Sequence, residues 1–91
     1  MDRLNKIEEL LNIGNTDEAI ALAQEFINSS SIEKDKAYYL MGNAYRKKSN
    51  WQMAINCYLE AMEINPESPA KQAHALAMNI LNYYNKEMYN P

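Results

Sequence analysis

Residues 35–68, DKAYYLMGNAYRKKSNWQMAINCYLEAMEINPES, decide the fold of this chain. They hold two helical patterns on either side of one break. The spacing predicts a third helix of the chain from about Glu33 to Lys48. Its end carries Arg46, Lys47 and Lys48, where basic side chains complement the negative pole of a helix dipole. Asn50 is a capping residue ahead of a fourth helix, Trp51 to Ile64. Asn65-Pro66 closes that helix, because proline disfavours helical geometry in the residue before it.

The same pattern returns upstream. Asn15, Ala19 and Ile20 recur as Asn50, Ala54 and Ile55 at an offset of 35, and Gly14 corresponds to Ser49. A repeat of that length with helical patterning inside it means stacked helical hairpins. In a first helix, Leu4, Ile7, Leu10 and Leu11 fall on one face, and Gly14-Asn15 ends it. Thr16 is expected to cap a second helix, with Asp17 and Glu18 in its first turn. That helix carries Ala19, Ile20, Ala23, Phe26 and Ile27 and ends at Ser29-Ser30-Ser31. Downstream, Ser68-Pro69 opens a fifth helix. Its apolar stripe is expected at Ala73, Leu76, Ala77, Ile80, Leu81 and Tyr84, with Lys71, Gln72, His74, Asn79 and Asn82 opposite. Residues 86–91 read as a flexible tail.

Composition agrees with a helical domain. Of 91 residues, 47% are apolar and 23% charged, ordinary values for a globular chain. Two Gly and three Pro are too few turn residues for a many-stranded sandwich or barrel. Nine Lys+Arg against twelve Asp+Glu leave a charge of −3, which argues against a protein that coats duplex nucleic acid. The lone Cys57 excludes an intramolecular disulfide framework and a cysteine-based metal cluster. No stretch approaches the ~18 apolar residues of a membrane span. Met1 to Lys6 lacks the apolar core of a signal peptide, so the expected compartment is cytoplasmic, without membrane association.

No constellation for catalysis, metal or cofactor binding emerges. His74, the single histidine, reads as a polar helix-face residue. Cys57 lies inside a helix, away from an N-terminus that would lower its pKa. Asp17-Glu18 is a helix-start signal, and no glycine loop is placed to cradle phosphate. The seven Tyr and six Met recur at helical spacing and read mainly as core. Tyr83, Met88 and Tyr89 either pack back on the last helix or face a partner. Arg46-Lys47-Lys48 beside Tyr38, Tyr39 and Tyr45 has the ingredients of a single-strand RNA platform, but dipole complementation accounts for the basic run.

Residues 35–68 closely resemble a tetratricopeptide repeat. The family pattern stands here as Tyr38, Met41-Gly42, Tyr45, Ala54, Tyr58 and Pro66, with Ala61 where the family prefers a small residue. Gly42, Ala54 and Ala61 are small enough for close helix approach, and the three tyrosines fill gaps with aromatic area. The first hairpin keeps Gly14, Ala19 and Phe26 but has Ile7 in place of Gly and Ser31 in place of Pro. The resemblance implies an all-α fold of antiparallel helix-turn-helix repeats, stacked as a short right-handed α-solenoid of five helices. One domain at 1–85 is expected: a degenerate first hairpin (1–31), a well-matched second (32–68) and a capping helix (69–85).

The resemblance also implies a use. The first helices of successive hairpins would line a concave groove that binds a protein or peptide. Leu4, Glu8, Leu11 and Asn12 would line it from the first hairpin, and Lys36, Tyr39, Asn43, Arg46 and Lys47 from the second. Ala70, Ala73 and Ala77 would line it from the capping helix. Asn43 would bond a peptide backbone through both its amide groups, Arg46 or Lys47 would hold a carboxylate, and Tyr39 would offer a flat platform. The carboxylate clamp that some relatives use on chaperone C-termini is not matched: its places hold Leu4, Glu8, Leu40, Ala70 and His74. The expected function is thus a non-catalytic adaptor or scaffold, monomeric or weakly dimeric. Self-association through the last helix and tail is the alternative.

Overall fold

The computed structural model describes the backbone of residues 2–89 and the side chains as far as Tyr83. Among the described residues five helices follow one another: α1 (Arg3–Asn12), α2 (Thr16–Ser29), α3 (Lys34–Lys47), α4 (Trp51–Ile64) and α5 (Ala70–Tyr89). No strand occurs among the described residues. Each helix packs on the next in sequence, and α1 also packs on α3, as a helical-repeat solenoid requires.

Local chemistry sets the ends. Asp2 caps α1, its Oδ1 accepting from the Leu4 N–H at 3.0 Å. Asn50 Oδ1 accepts from the Met53 N–H at 3.3 Å and caps α4 as its position suggested. At α2 the expectation fails by one residue. Asn15 is the N-cap and Thr16 already lies inside the helix. Asn15 uses its side chain on Glu18 rather than on the backbone. Both turns inside the hairpins pass through left-handed backbone, Gly14 at φ 84° and its counterpart Ser49 at φ 62°. Glu33, ahead of α3, is left-handed too, at φ 58°. At the start of α5, Ser68 Oγ accepts from the Ala70 N–H at 3.0 Å, and Pro69 needs no donor there.

Two apolar clusters form the core. The first joins α1 and α2 through Leu4, Ile7, Leu10, Ala19, Ala23 and Phe26, and reaches Ala37, Met41 and Ala44 of α3 and Cys57 of α4. The second joins α4 to α5 through Ala54, Ile55, Tyr58, Ala61, Ala70 and Ala77. Among the described residues, Ile7 and Tyr58 are the largest fully buried side chains, each worth about 1.5–3 kcal/mol of apolar burial. Gly42 lies directly against the Tyr58 ring, where an added Cβ would come within 2.5 Å of it. The end of α4 is tied to the start of α3 by Asn65 Nδ2 donating to Asp35 Oδ2 at 3.1 Å.

The fifth helix keeps most of its expected stripe but exceeds its expected length. Ala70, Ala77, Ala73, Met78 and Leu81 pack on α4, whereas Leu76 is 52% exposed and His74 is half-buried. Of the expected stripe, Ala73, Ala77 and Leu81 thus face α4, and Leu76 does not. The helix also continues to Tyr89, so the tail expected from Lys86 is helical that far. The side chains of Tyr84, Met88 and Tyr89, and residues 90 and 91, lie outside the described residues.

Candidate functional site

Because α1 and α3 lie side by side, their exposed faces form one surface. A cleft of about 260 Å³ opens there. Leu4, Leu40 and Tyr39 contribute its apolar lining, and Asp2, Asn5, Glu8, Glu33 and Lys36 its polar lining. Leu4 is buried, while Leu40 and Tyr39 are half-buried in the core clusters. Lys36 Nζ lies 2.8 Å from Glu33 Oε2, and that hydrogen bond holds its pKa above the ordinary lysine value.

Of the residues expected to line the groove, Leu4, Glu8, Lys36 and Tyr39 meet in this cleft. Asn43 and Arg46 lie further along α3, half-buried, and Lys47 is exposed at its last turn. Asn43 is already engaged. Its Oδ1 accepts from the Tyr58 hydroxyl at 2.6 Å, which leaves its Nδ2 for a ligand rather than both amide groups. Tyr58 is wholly buried, and burial pushes its pKa up to about 12, against a smaller lowering by nearby Arg46. The Tyr39 ring tilts against Tyr58 with centroids 6.1 Å apart, so part of the supposed platform faces inward.

Other groove assignments change. Leu11 is only 4% exposed and belongs to the core. Ala70 and Ala77 are covered by the packing of α5 on α4, so they offer no open surface. Conversely, Asp2, Asn5 and Glu33 were not foreseen in the cleft. A signal for one of them existed: Asn5 and Glu8 stand three residues apart and share a helix face.

Cys57 is 4% exposed, and burial pushes its thiol up to about 11, the opposite of an activated nucleophile. Among the described residues, no group of three or more His, Cys, Asp or Glu is arranged to hold a metal ion. No described helix is long and apolar enough to cross a membrane.

Comparison with known proteins adds to this geometry. Residues 35–68 match the family described as tetratricopeptide repeat. The chain is 31% identical over 87 residues to the peptidyl-prolyl cis-trans isomerase CYP7 of Saccharomyces cerevisiae. That match takes in 92% of this chain and spans 22% of the length of the yeast protein. Among solved structures, the chain is similar to Bacteroides fragilis protein BF1650, determined by solution NMR. The two are 53% identical, with a TM-score of 0.90 over 99% of this chain and 91% of the other.

Proposed function

This chain belongs to the tetratricopeptide repeat family, and from that premise we propose that it is a non-catalytic module that binds a protein or peptide across α1 and α3, as an adaptor or scaffold. Domains of this family generally engage proteins or peptides. The observation that carries the reading is the α1–α3 cleft, with an apolar floor and a polar rim on rigid helices. Such a site loses little order when it binds an extended segment. The match to the yeast isomerase covers only 22% of that protein, so its named activity remains a property of the yeast protein.

Asn5→Trp tests the reading. Asn5 is exposed and lines the cleft, so the indole would fill the space without disturbing the core. Wild type and variant are used side by side as bait, and captured proteins are remade and titrated. A partner bound by wild type and lost by the folded variant supports the cleft; equal affinity for both removes it.

A second reading is self-association through α5. Leu76 at 52% exposure and Tyr83 at 74%, both on α5, motivate it. Sedimentation equilibrium decides: a mass that rises with concentration and falls back in Leu76→Lys supports it, and a constant monomer mass rejects it.

A further inference from the structure

The lining of the α1–α3 cleft carries a charge pattern that narrows the kind of segment it fits. Three carboxylates, Asp2, Glu8 and Glu33, face one ammonium, Lys36, which is held by Glu33. Both helices begin here, and their positive poles would by themselves favour an anion. Asp2 answers that pole at α1 by capping it. Glu8 lies in the second turn of α1, where the dipole has faded, and no described cation lies within ion-pair distance of it. Glu8 is therefore surplus negative charge above an apolar floor of Leu4, Leu40 and Tyr39.

A lysine or arginine side chain has the matching construction, an aliphatic stem ending in a cation. The stem would cover the leucines and the Tyr39 ring, and the head would meet Glu8. The tyrosine face adds attraction for a cation. A carboxylate in the same place would meet like charge. Resting on the cleft reading above, we propose that the α1–α3 cleft selects an extended peptide segment through one Lys or Arg side chain, with Glu8 as its principal charge partner.

The test is selection from a random heptapeptide display library against the purified chain as wild type, Glu8→Gln, Glu8→Lys and Asn5→Trp, each first checked for helicity. Wild type is expected to enrich Lys or Arg at one position. That enrichment should fall in Glu8→Gln and give way to Asp or Glu in Glu8→Lys. A resynthesised wild-type-selected peptide should bind Glu8→Lys about tenfold more weakly. Peptides that are lost in Asn5→Trp but show no basic preference, or the same preference in Glu8→Lys, overturn this proposal and leave the cleft standing. Peptides that survive Asn5→Trp, or no selected peptides at all, overturn the cleft reading and this proposal with it.

Discussion

The two hairpins solve one packing problem with opposite allocations of bulk. In the second, the first helix carries Gly42 and the second helix carries Tyr58, whose ring lies against that glycine. In the first, at the offset of 35, the equivalent residues are Ile7 and Ala23, both fully buried. One layer away the hairpins differ without such an exchange. Tyr38 and Ala61 correspond to Arg3 and Phe26, and the Arg3 guanidinium sits 4.9 Å above the Phe26 ring. Interiors are packed to near-crystalline density, so what a repeat must keep is the summed volume of facing positions rather than the residue at each one. This is why the family pattern is plain in residues 35–68 and faint before them, although both segments form hairpins.

The sharpest way to break the comparison is to impose the family's glycine on the first hairpin. Ile7→Gly should lower the unfolding free energy by about 3–5 kcal/mol, from the cavity together with the helix cost of glycine. If the exchange of bulk is real, adding Ala23→Tyr to Ile7→Gly should recover part of the loss. Urea denaturation gives the coupling between the two changes, and a purely additive double variant would count against the exchange. Next comes the second hairpin. Gly42→Ala forces the Tyr58 ring, buried and bonded to Asn43, to move, and should cost about 1–3 kcal/mol by the same measurement.

Tyr58→Phe removes the hydroxyl alone and should cost about 1 kcal/mol near neutral pH. It also has a pH signature. The folded-state pKa is raised from 10.0 to about 12, so the unfolded chain loses its proton first as pH rises. Stability from this group is full below pH 10 and declines between pH 10 and about 12. Tyr58→Phe should flatten that part of the alkaline unfolding profile.

The smallest change should stabilise. Ser49 holds a left-handed conformation that glycine adopts without strain, and its counterpart is Gly14. Ser49→Gly should therefore gain up to about 1 kcal/mol, visible as a raised melting temperature. Gly14→Ala should lose a similar amount.

Much of the fold was legible because its signals are local. Asn50, Asn65-Pro66 and Ser68-Pro69 punctuate the chain chemically, and α4 runs from Trp51 to Ile64 as they imply. Asn15 and Thr16 are both capping types, and the repeat correspondence of Asn15 with the capping Asn50 points to the one the structure uses. Helical spacing gives the period of an apolar stripe, but its rotation on a neighbour depends on which side chains interlock. Hence Leu76 was placed inward and is exposed. The candidate cleft was half legible. The family resemblance implies Glu8, Lys36 and Tyr39 on one face, and they share the cleft, while the hydrogen bond that engages Asn43 depends on Tyr58, fifteen residues away on another helix.

The central claim is that the paired faces of α1 and α3 form the binding surface. The most direct measurement is amide chemical-shift mapping of the isotope-labelled chain, titrated with a peptide selected on the wild-type protein. Shifts centred on Asn5, Glu8, Lys36 and Leu40, absent in Asn5→Trp, are the predicted result. Shifts centred on α2 or on the exposed side of α5 around Leu76, with the cleft amides unmoved, would contradict it.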